Sequence, residues 1–528
     1  MIVAPEKYHE LAASSVRPLD WDVGISFTKE RNTEVAWFEL DTSALDGGDL
    51  LAADLNNPIQ LWDSYDYEHL RDRLVEMTIS RSVAFPFNVQ SSVADFTLDN
   101  HDRYLSYSED GSLSPISDYI QPKRPCRLYI GFGDSGGVLP LFVGLTQGMP
   151  SYNGSRDETA NITAMDFLSE IGDMSLNNLL MMQDARTDEV IAEILTQFGI
   201  GPEMYNLSPG INTIPFVYFK KGKNAGNALR ELVMAENGSL WLDEQGIIRF
   251  EPRTGVIGKT PVMIFDEDNI VEITPSRTDG IVNTVKIKSE IRDVQEFQPI
   301  FSMENANGYS RAADEDDYRV GANRSADFWL TLDDPAWSAT LPVFNGVTTS
   351  SRFTAVDLSG TAVSANVTAV GQLLSDTYKI TVTNTNNFPI SINALELWGE
   401  PAKVIDEISY DAYDEDSVEK FGTLALEIND NNCFGSYLNV DNFATDILEK
   451  YASYSPTIEL TVKGNPALQM QDIITIDADI HDGDFLILGI NHKLSSEGLE
   501  TTITAQKTTV VMPFVLDVSI LNGADVLG

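Results

Sequence analysis

Residues 129–145 read YIGFGDSGGVLPLFVGL. Two apolar runs flank Gly133-Asp134-Ser135-Gly136-Gly137, and this pentapeptide has two readings. A Gly-Asp-Ser-Gly string can present a nucleophilic serine. It is equally the permissive backbone of a hairpin tip, because glycine adopts positive φ without a Cβ clash and Asp and Ser hydrogen-bond within their own turn. A serine nucleophile needs a base within hydrogen-bond reach and a carboxylate that orients the base. Only His9, His69 and His101 precede Ser135, in KYHEL, YEHLR and DNHDR, and none sits in an Ala-His-Cys setting. Residues 129–145 are therefore read as strand, tip and strand, with a serine hydrolase using Ser135 kept as an alternative.

Outward from this hairpin the period is two. LVEMTISRSVAFPFNVQSSVADFTLDN (74–100) alternates apolar and polar residues, as a half-buried strand does. Turn clusters follow at 99–102 and 108–112, and RPCRLYIGFG, LPLFVGLTQGMPSY and ETANITAMDF supply further strands, giving a small antiparallel barrel or sandwich over 66–170. The period then changes. In RTDEVIAEILTQFGIG, Val190, Ile191, Ile194, Leu195 and Phe198 fall at helical spacing, with Thr187 as the expected N-cap and Gly199 as the stop. NAGNALRELVMAENG repeats the pattern with Ala228, Leu229, Leu232 and Val233, stopping at Gly238. SLWLDEQGIIRFEPR reads as strand, tight turn at 243–246, strand. Residues 171–261 are thus expected to form an α+β module.

Strand periodicity returns in DGIVNTVKIKSEI (279–291). Residues 301–400 hold short Thr-, Val- and Asn-rich β pieces without helical signals and are expected to form an inserted β-sandwich. A helix is expected in NFATDILEKYASY, with Phe443, Ile447, Leu448 and Tyr451 on one face. It introduces a second antiparallel set, the two together spanning 401–510. Residues 1–65 read as an N-terminal arm and 511–528 as a C-terminal tail. The expected fold class is mainly β with α+β: two small antiparallel β-barrel-like domains, an α+β module and the inserted β-sandwich. The blocks at 74–166 and 455–507 hint at a long-range duplication.

The chain carries 80 acidic and 35 basic residues, a net charge of −45. Such a surface repels phosphate, which excludes nucleic-acid recognition by a basic patch. Cys126 and Cys433 lie far apart without metal-type spacing and are expected to be core thiols of a chain made in a reducing compartment. The N-terminus lacks the basic and apolar regions of a signal peptide. Apolar runs such as Val138–Leu145 are far shorter than the ~20 residues that span a bilayer. The chain is accordingly expected to be made in the cytoplasm, with no membrane span.

DADIHDGD places Asp477, Asp479 and His481 at alternate positions. A calcium loop of EF-hand type wants Gly sixth and an acid twelfth, where this chain has Asp482 and Leu488, so a solvated turn is expected. Trp62, Trp241, Trp329, Trp337 and Trp398 never interleave with basic residues and are expected in cores or interfaces. No residue is assigned as catalytic, cofactor-binding or metal-binding, and no cofactor is expected.

Four stretches, in this order, carry a resemblance. The first is FNVQSSVADFTLDN with RPCRLYIGFG, LPLFVGLTQG and ANITAMDFL. The second is RTDEVIAEILTQFGI with NALRELVMAENGSLWLDEQGIIRFEPR. The third is SRTDGIVNTVKIKS, and the fourth ATDILEKYASYSPTIELTVKGNPALQMQDIITI with DFLILGINHKLSSEGLETTITAQ. Each is mostly turn residues between strands, but together they resemble the tail-hub family of long-tailed bacteriophages, the baseplate hub and tail-tip minor tail proteins.

The resemblance implies that residues 262–300 complete the first barrel. It also implies a non-enzymatic homotrimer, in which two barrel-like domains per subunit make six similar units that mate with a sixfold tail tube. Implied partners are a distal tail ring protein, a tape-measure protein, and tail fibres or receptor-binding proteins. The implied location is the virion tail tip, after assembly in the host cytoplasm, with a channel through which DNA passes without being specifically bound. The acidic excess would then keep exiting DNA from sticking. A β-rich, glycan-binding adhesin acting through the inserted sandwich remains open beside this reading.

Overall fold

Strands Pro125–Phe132 and Gly137–Ser151 pair antiparallel with Phe132 opposite Gly137, the hairpin read from residues 129–145. Its tip, residues 133–136 with Ser135, lies outside the described residues. The computed structural model describes residues 2, 8, 19–27, 67–83, 92–108, 114–132, 137–151, 158–176, 181–276, 280–302, 319–340, 343–344, 352–363, 366–453, 457–478 and 481–508.

Pairing in the hairpin slips by one residue, since Leu128 faces Phe142 but Tyr129 faces Pro140, leaving Leu141 as a bulge. Pro140, which has no N–H for the ladder, sits beside it. The bulge turns two consecutive side chains inward, so Leu141 and Phe142 are both buried. Gly144 is required by close approach: a Cβ there would stand 2.2 Å from the Met165 carbonyl oxygen.

These strands belong to one open 13-stranded sheet. Its main path runs Ile270–Ser276, Thr457–Lys463, Gly498–Lys507, Gly483–Ser495, Leu74–Ser82, Val93–Asp99, Thr159–Met165, Gly137–Ser151, Pro125–Phe132, Leu19–Ile25 and Glu68–His69. Ile473–Asp477 and Met263–Asp266 branch from Gly483–Ser495. The mainly β class stands, and neither barrel-like block is closed. The blocks are two halves of the same sheet, joined because Gly483–Ser495 is long enough to take two partners along one side. Residues 483–486 pair with 473–476, and residues 489–494 pair with 77–82. Each half keeps its own core, one around Ile79, Phe96, Leu128 and Leu141, the other around Phe265, Leu460, Ile487 and Ile503.

Residues 262–300 do not return to the first half. Met263–Asp266 pairs parallel with Ile473–Asp477 and Ile270–Ser276 pairs antiparallel with Thr457–Lys463, both in the second half. Thr284–Val294 pairs with the long strand Ile390–Tyr413 and with Ala425–Ile428. Alternation sets which face of a strand is buried and leaves its partner open.

A third core gathers helices Thr187–Gln197, Ala225–Glu236 and Tyr437–Tyr451 over the hairpin Ser239–Leu242/Ile248–Glu251. The N-cap of the first helix is Arg186, not Thr187; its backbone N–H donates to the Glu189 carboxylate at 2.9 Å. Thr187 is instead buried and donates to Glu236 Oε2 at 2.8 Å. Gly199 ends that helix at φ 73°. The second helix is closed by Asn237 at φ 50°, one residue before the expected Gly238.

Helix Tyr437–Tyr451 starts at the Ser436 cap, earlier than its apolar stripe indicates, and packs in this third core rather than with the second half-sheet. Val440, Phe443, Ala444 and Ile447 are its buried face, with Phe443 edge-on to Phe434 at 5.2 Å. A stripe of apolar residues demands burial without specifying the covering surface.

Beyond the third core, Arg324–Thr331, Val367–Leu374 and Thr377–Asn384 form a three-stranded sheet. It faces Gln298–Ser302, Ala336–Ala339, Arg352–Asp357 and the first half of Ile390–Tyr413 across a separate core that includes Phe301, Leu330, Tyr378, Ile392 and Leu397. The expected core thiols are both free and buried, and burial pushes Cys126 up to about 12.

Replacing Phe142 by Asp places a charge in the first core and should cost at least ~4 kcal/mol in denaturant unfolding. Ser135→Ala should stay within ~0.5 kcal/mol of the parent. Equal effects of the two substitutions would remove the hairpin reading.

Candidate functional site

Along Leu74–Ser82 the buried positions Met77, Ile79 and Arg81 share one face. Arg81 thus continues an apolar row with a guanidinium, only 6% exposed. A desolvated cation must find partners nearby: Arg81 has two, from the first half-sheet and the α+β module, and a third unit supports one of them. Arg81 Nη1 donates to Glu244 Oε1 at 2.8 Å, and Nη2 donates to the carbonyl oxygen of Leu141. Glu244 Oε2 accepts from Gln469 Nε2 at 2.8 Å. The bulge at Leu141 takes its carbonyl out of the regular ladder and leaves it for Arg81.

Glu244 occupies a hairpin turn yet is almost completely buried. Asp243 builds that turn: its Oδ1 accepts from the N–H of Gln245 and of Ile247, each at 2.9 Å, and its Oδ2 accepts from Arg249 Nε at 2.8 Å. Gly246 completes it at φ 80°. The turn projects Glu244 to a point between Arg81 and Gln469. Gln469 lies in residues 464–472, GNPALQMQD, where Asn465 Oδ1 accepts from Ala467 N at 3.1 Å and Ile2 N donates to Ala467 O at 2.8 Å. Lys259 ties the module to the same loop, donating to Glu251 Oε2 at 2.6 Å and to Gln471 O at 2.9 Å.

The seam's electrostatics follow from burial. Desolvation raises the Glu244 carboxyl, opposed by the Arg81 charge. Asp166 caps helix Phe167–Asp173 through Leu168 N and also accepts from Ser92 N; burial moves it up to about 6. His492 is fully buried with Nδ1 2.8 Å from Thr501 Oγ1, and burial first, then the Arg81 charge, pushes it down to about 3. Arg81, Leu141, Glu244 and Gln469 form a locking site: charge, carbonyl and amide hold three units in one register.

The residues weighed from sequence fall elsewhere. Asp479 lies outside the described residues, as does Trp62. Asp477 ends the strand Ile473–Asp477, and the His481 N–H donates to the Ala478 carbonyl oxygen at 2.7 Å. Among the described residues no group of three or more His, Cys, Asp or Glu could hold a metal ion. Trp241 is buried in the second half-sheet's core, Trp398 stacks near Phe297 at 5.9 Å, and Trp329 and Trp337 are 44% and 42% exposed. No helix among the described residues is long and apolar enough to cross a membrane.

No family model matches the chain, and no curated protein sequence matches it. Solved structures similar to it include phage tail proteins. One is the 43 kDa tail protein of prophage MuSo2 from Shewanella oneidensis, 12% identical, covering 84% of this chain and 96% of its own, with a TM-score of 0.43. Another is a tail protein from Neisseria meningitidis MC58, 10% identical, covering 84% and 94%, with a TM-score of 0.45. A third is prophage tail protein gp18 from Listeria monocytogenes EGD-e, 11% identical, covering 84% and 92%, with a TM-score of 0.39.

Two measurements probe the seam. Arg81→Met leaves Glu244 buried and unpaired and should cost ~3–5 kcal/mol, whereas Arg81→Met with Glu244→Met should recover most of that loss. The native state keeps His492 neutral while an unfolded histidine protonates near pH ~6.5, so its stabilisation is complete above that pH and is lost as pH falls toward 3. Between pH ~7 and ~4.5 the parent should therefore lose ~2–3 kcal/mol more than His492→Gln in denaturant unfolding. Identical pH profiles would rule out a buried neutral His492.

Proposed function

We propose that this chain is the structural, non-enzymatic hub of a phage tail tip. In this reading it forms a trimeric ring that adapts a sixfold tail tube, docks fibres or receptor-binding proteins, and surrounds a channel for DNA exit. The observation that carries the reading is the fused sheet: two antiparallel halves lie edge to edge in one subunit, locked by Arg81. Three such subunits supply six sheet halves around a ring, which suits a threefold body to a sixfold neighbour. Three of the four stretches that resemble tail hubs contribute to this network: LFVG with Leu141 and DEQG with Glu244 meet Arg81, and GNPALQ with Gln469 meets Glu244.

The charge fits the same reading. A channel lined with part of the −45 per subunit would gain no counterion release from DNA and would let it pass. Light scattering on the 58.3 kDa chain should give a trimer, and the protein should join tail rings in assembly mixtures. A strictly monomeric chain that never enters rings would defeat the proposal, as would a hydrolytic activity lost on Ser135→Ala.

A further inference from the structure

The inserted sandwich hangs on a two-stranded ribbon, formed by Thr284–Val294 and the second half of Ile390–Tyr413. At its root Val285, Ile287 and Ile408 are buried in the helical core. Residues 403–407 then are all exposed, with Ile405 left over as a bulge between the pairs Ile291–Asp406 and Arg292–Val404. Opposite them Ile291 is half-buried against the helical core and the Arg292 side chain is largely buried, so the ribbon is exposed along one strand, and the bulge at Ile405 makes that stretch its least supported section.

Beyond that section the arm touches the α+β module again. Val294 and Ala402 pack on Met181, Phe216 and Tyr218. Lys221 Nζ stands 3.2 Å above the centre of the Trp329 ring, with Lys379 Nζ at 5.4 Å, and Lys221 N donates to Asp376 Oδ1 at 3.3 Å. Arg292 Nη1 donates to Asp334 Oδ1 at 3.2 Å and lies over Tyr218 at 5.2 Å. These contacts are few and mostly polar, the kind of interface within a chain that permits relative motion. The sandwich keeps its own core and loses none of it if they part.

We propose that the sandwich is a latched arm: it swings on the ribbon at 403–407, and the Lys221–Trp329 contact holds it closed over Met181, Phe216 and Tyr218. The inference does not depend on the chain being a tail hub. Released, the arm would uncover a small aromatic surface on the module and reorient the outer face of the sandwich.

Hydroxyl-radical footprinting of the full chain tests this, because it reads side-chain exposure directly. Trp329→Ala and Lys221→Ala should each raise modification of Met181, Phe216 and Tyr218 roughly fivefold, the scale set by losing one cation–π contact. Tyr378 and Ile380, inside the sandwich, should stay protected, and Lys221→Arg should behave as the parent. No change at Met181, Phe216 and Tyr218 in either alanine variant overturns the latch. So does an equal rise at Tyr378, which would report unfolding of the sandwich instead of its release.

Discussion

A guanidinium taken out of water needs charge and hydrogen-bond partners, and Arg81 finds them through Nη1 and Nη2, while its buried Nε has none among the described residues. Its partners are a bulge carbonyl in the first half-sheet and a turn carboxylate in the α+β module. That carboxylate is held in turn by an amide from the second half-sheet. The penalty for an unpaired buried charge exceeds what most single contacts contribute, so losing either partner of Arg81 is expected to be costly. The bulge at Leu141, the Asp243 turn and residues 464–472 are best understood as devices that bring one oxygen or nitrogen each to a common point.

The same economy runs through the rest of the molecule. With 80 acids and 35 bases, cations are scarce, and several stand at joints. Arg81 and Lys259 join the α+β module to the sheet, while Arg292 and Lys221 join it to the sandwich. The sheet joint is buried and rigid. The sandwich joint combines a small apolar cluster around Ala402 with polar contacts from Arg292 and Lys221, of which the exposed ones are easily screened. The two joints therefore differ in how deeply their charged contacts are buried, Arg81 being almost fully buried and Lys221 exposed.

Much of the local structure was legible in the residues. Alternation identified the strands around 129–145, the 3.6 period identified the helices at 190–198 and 228–233, and Asp243–Gly246 announced its turn. Partners were less legible. Residues 262–300 were expected to complete the first half, yet strands 263–266 and 270–276 joined the second, and helix 437–451 carries a readable stripe but found the helical core. Arg81 left a signal that was available: in TISRS it falls in phase with Met77 and Ile79, so a charge occupies the buried row of its strand. Glu244 left none, because an acid in a turn ordinarily faces water.

The sequence by itself determined the element types, the hairpin at 129–145 and the acidic surface, since these follow from dihedral preferences, periodicity and charge carried by neighbouring residues. Only the tertiary structure decided that two strand blocks share one sheet, that Glu244 points inward, and that residues 81, 141, 244 and 469 meet. Those outcomes depend on contacts between segments 60 to 225 residues apart, and no local preference encodes which distant partner a buried charge will find.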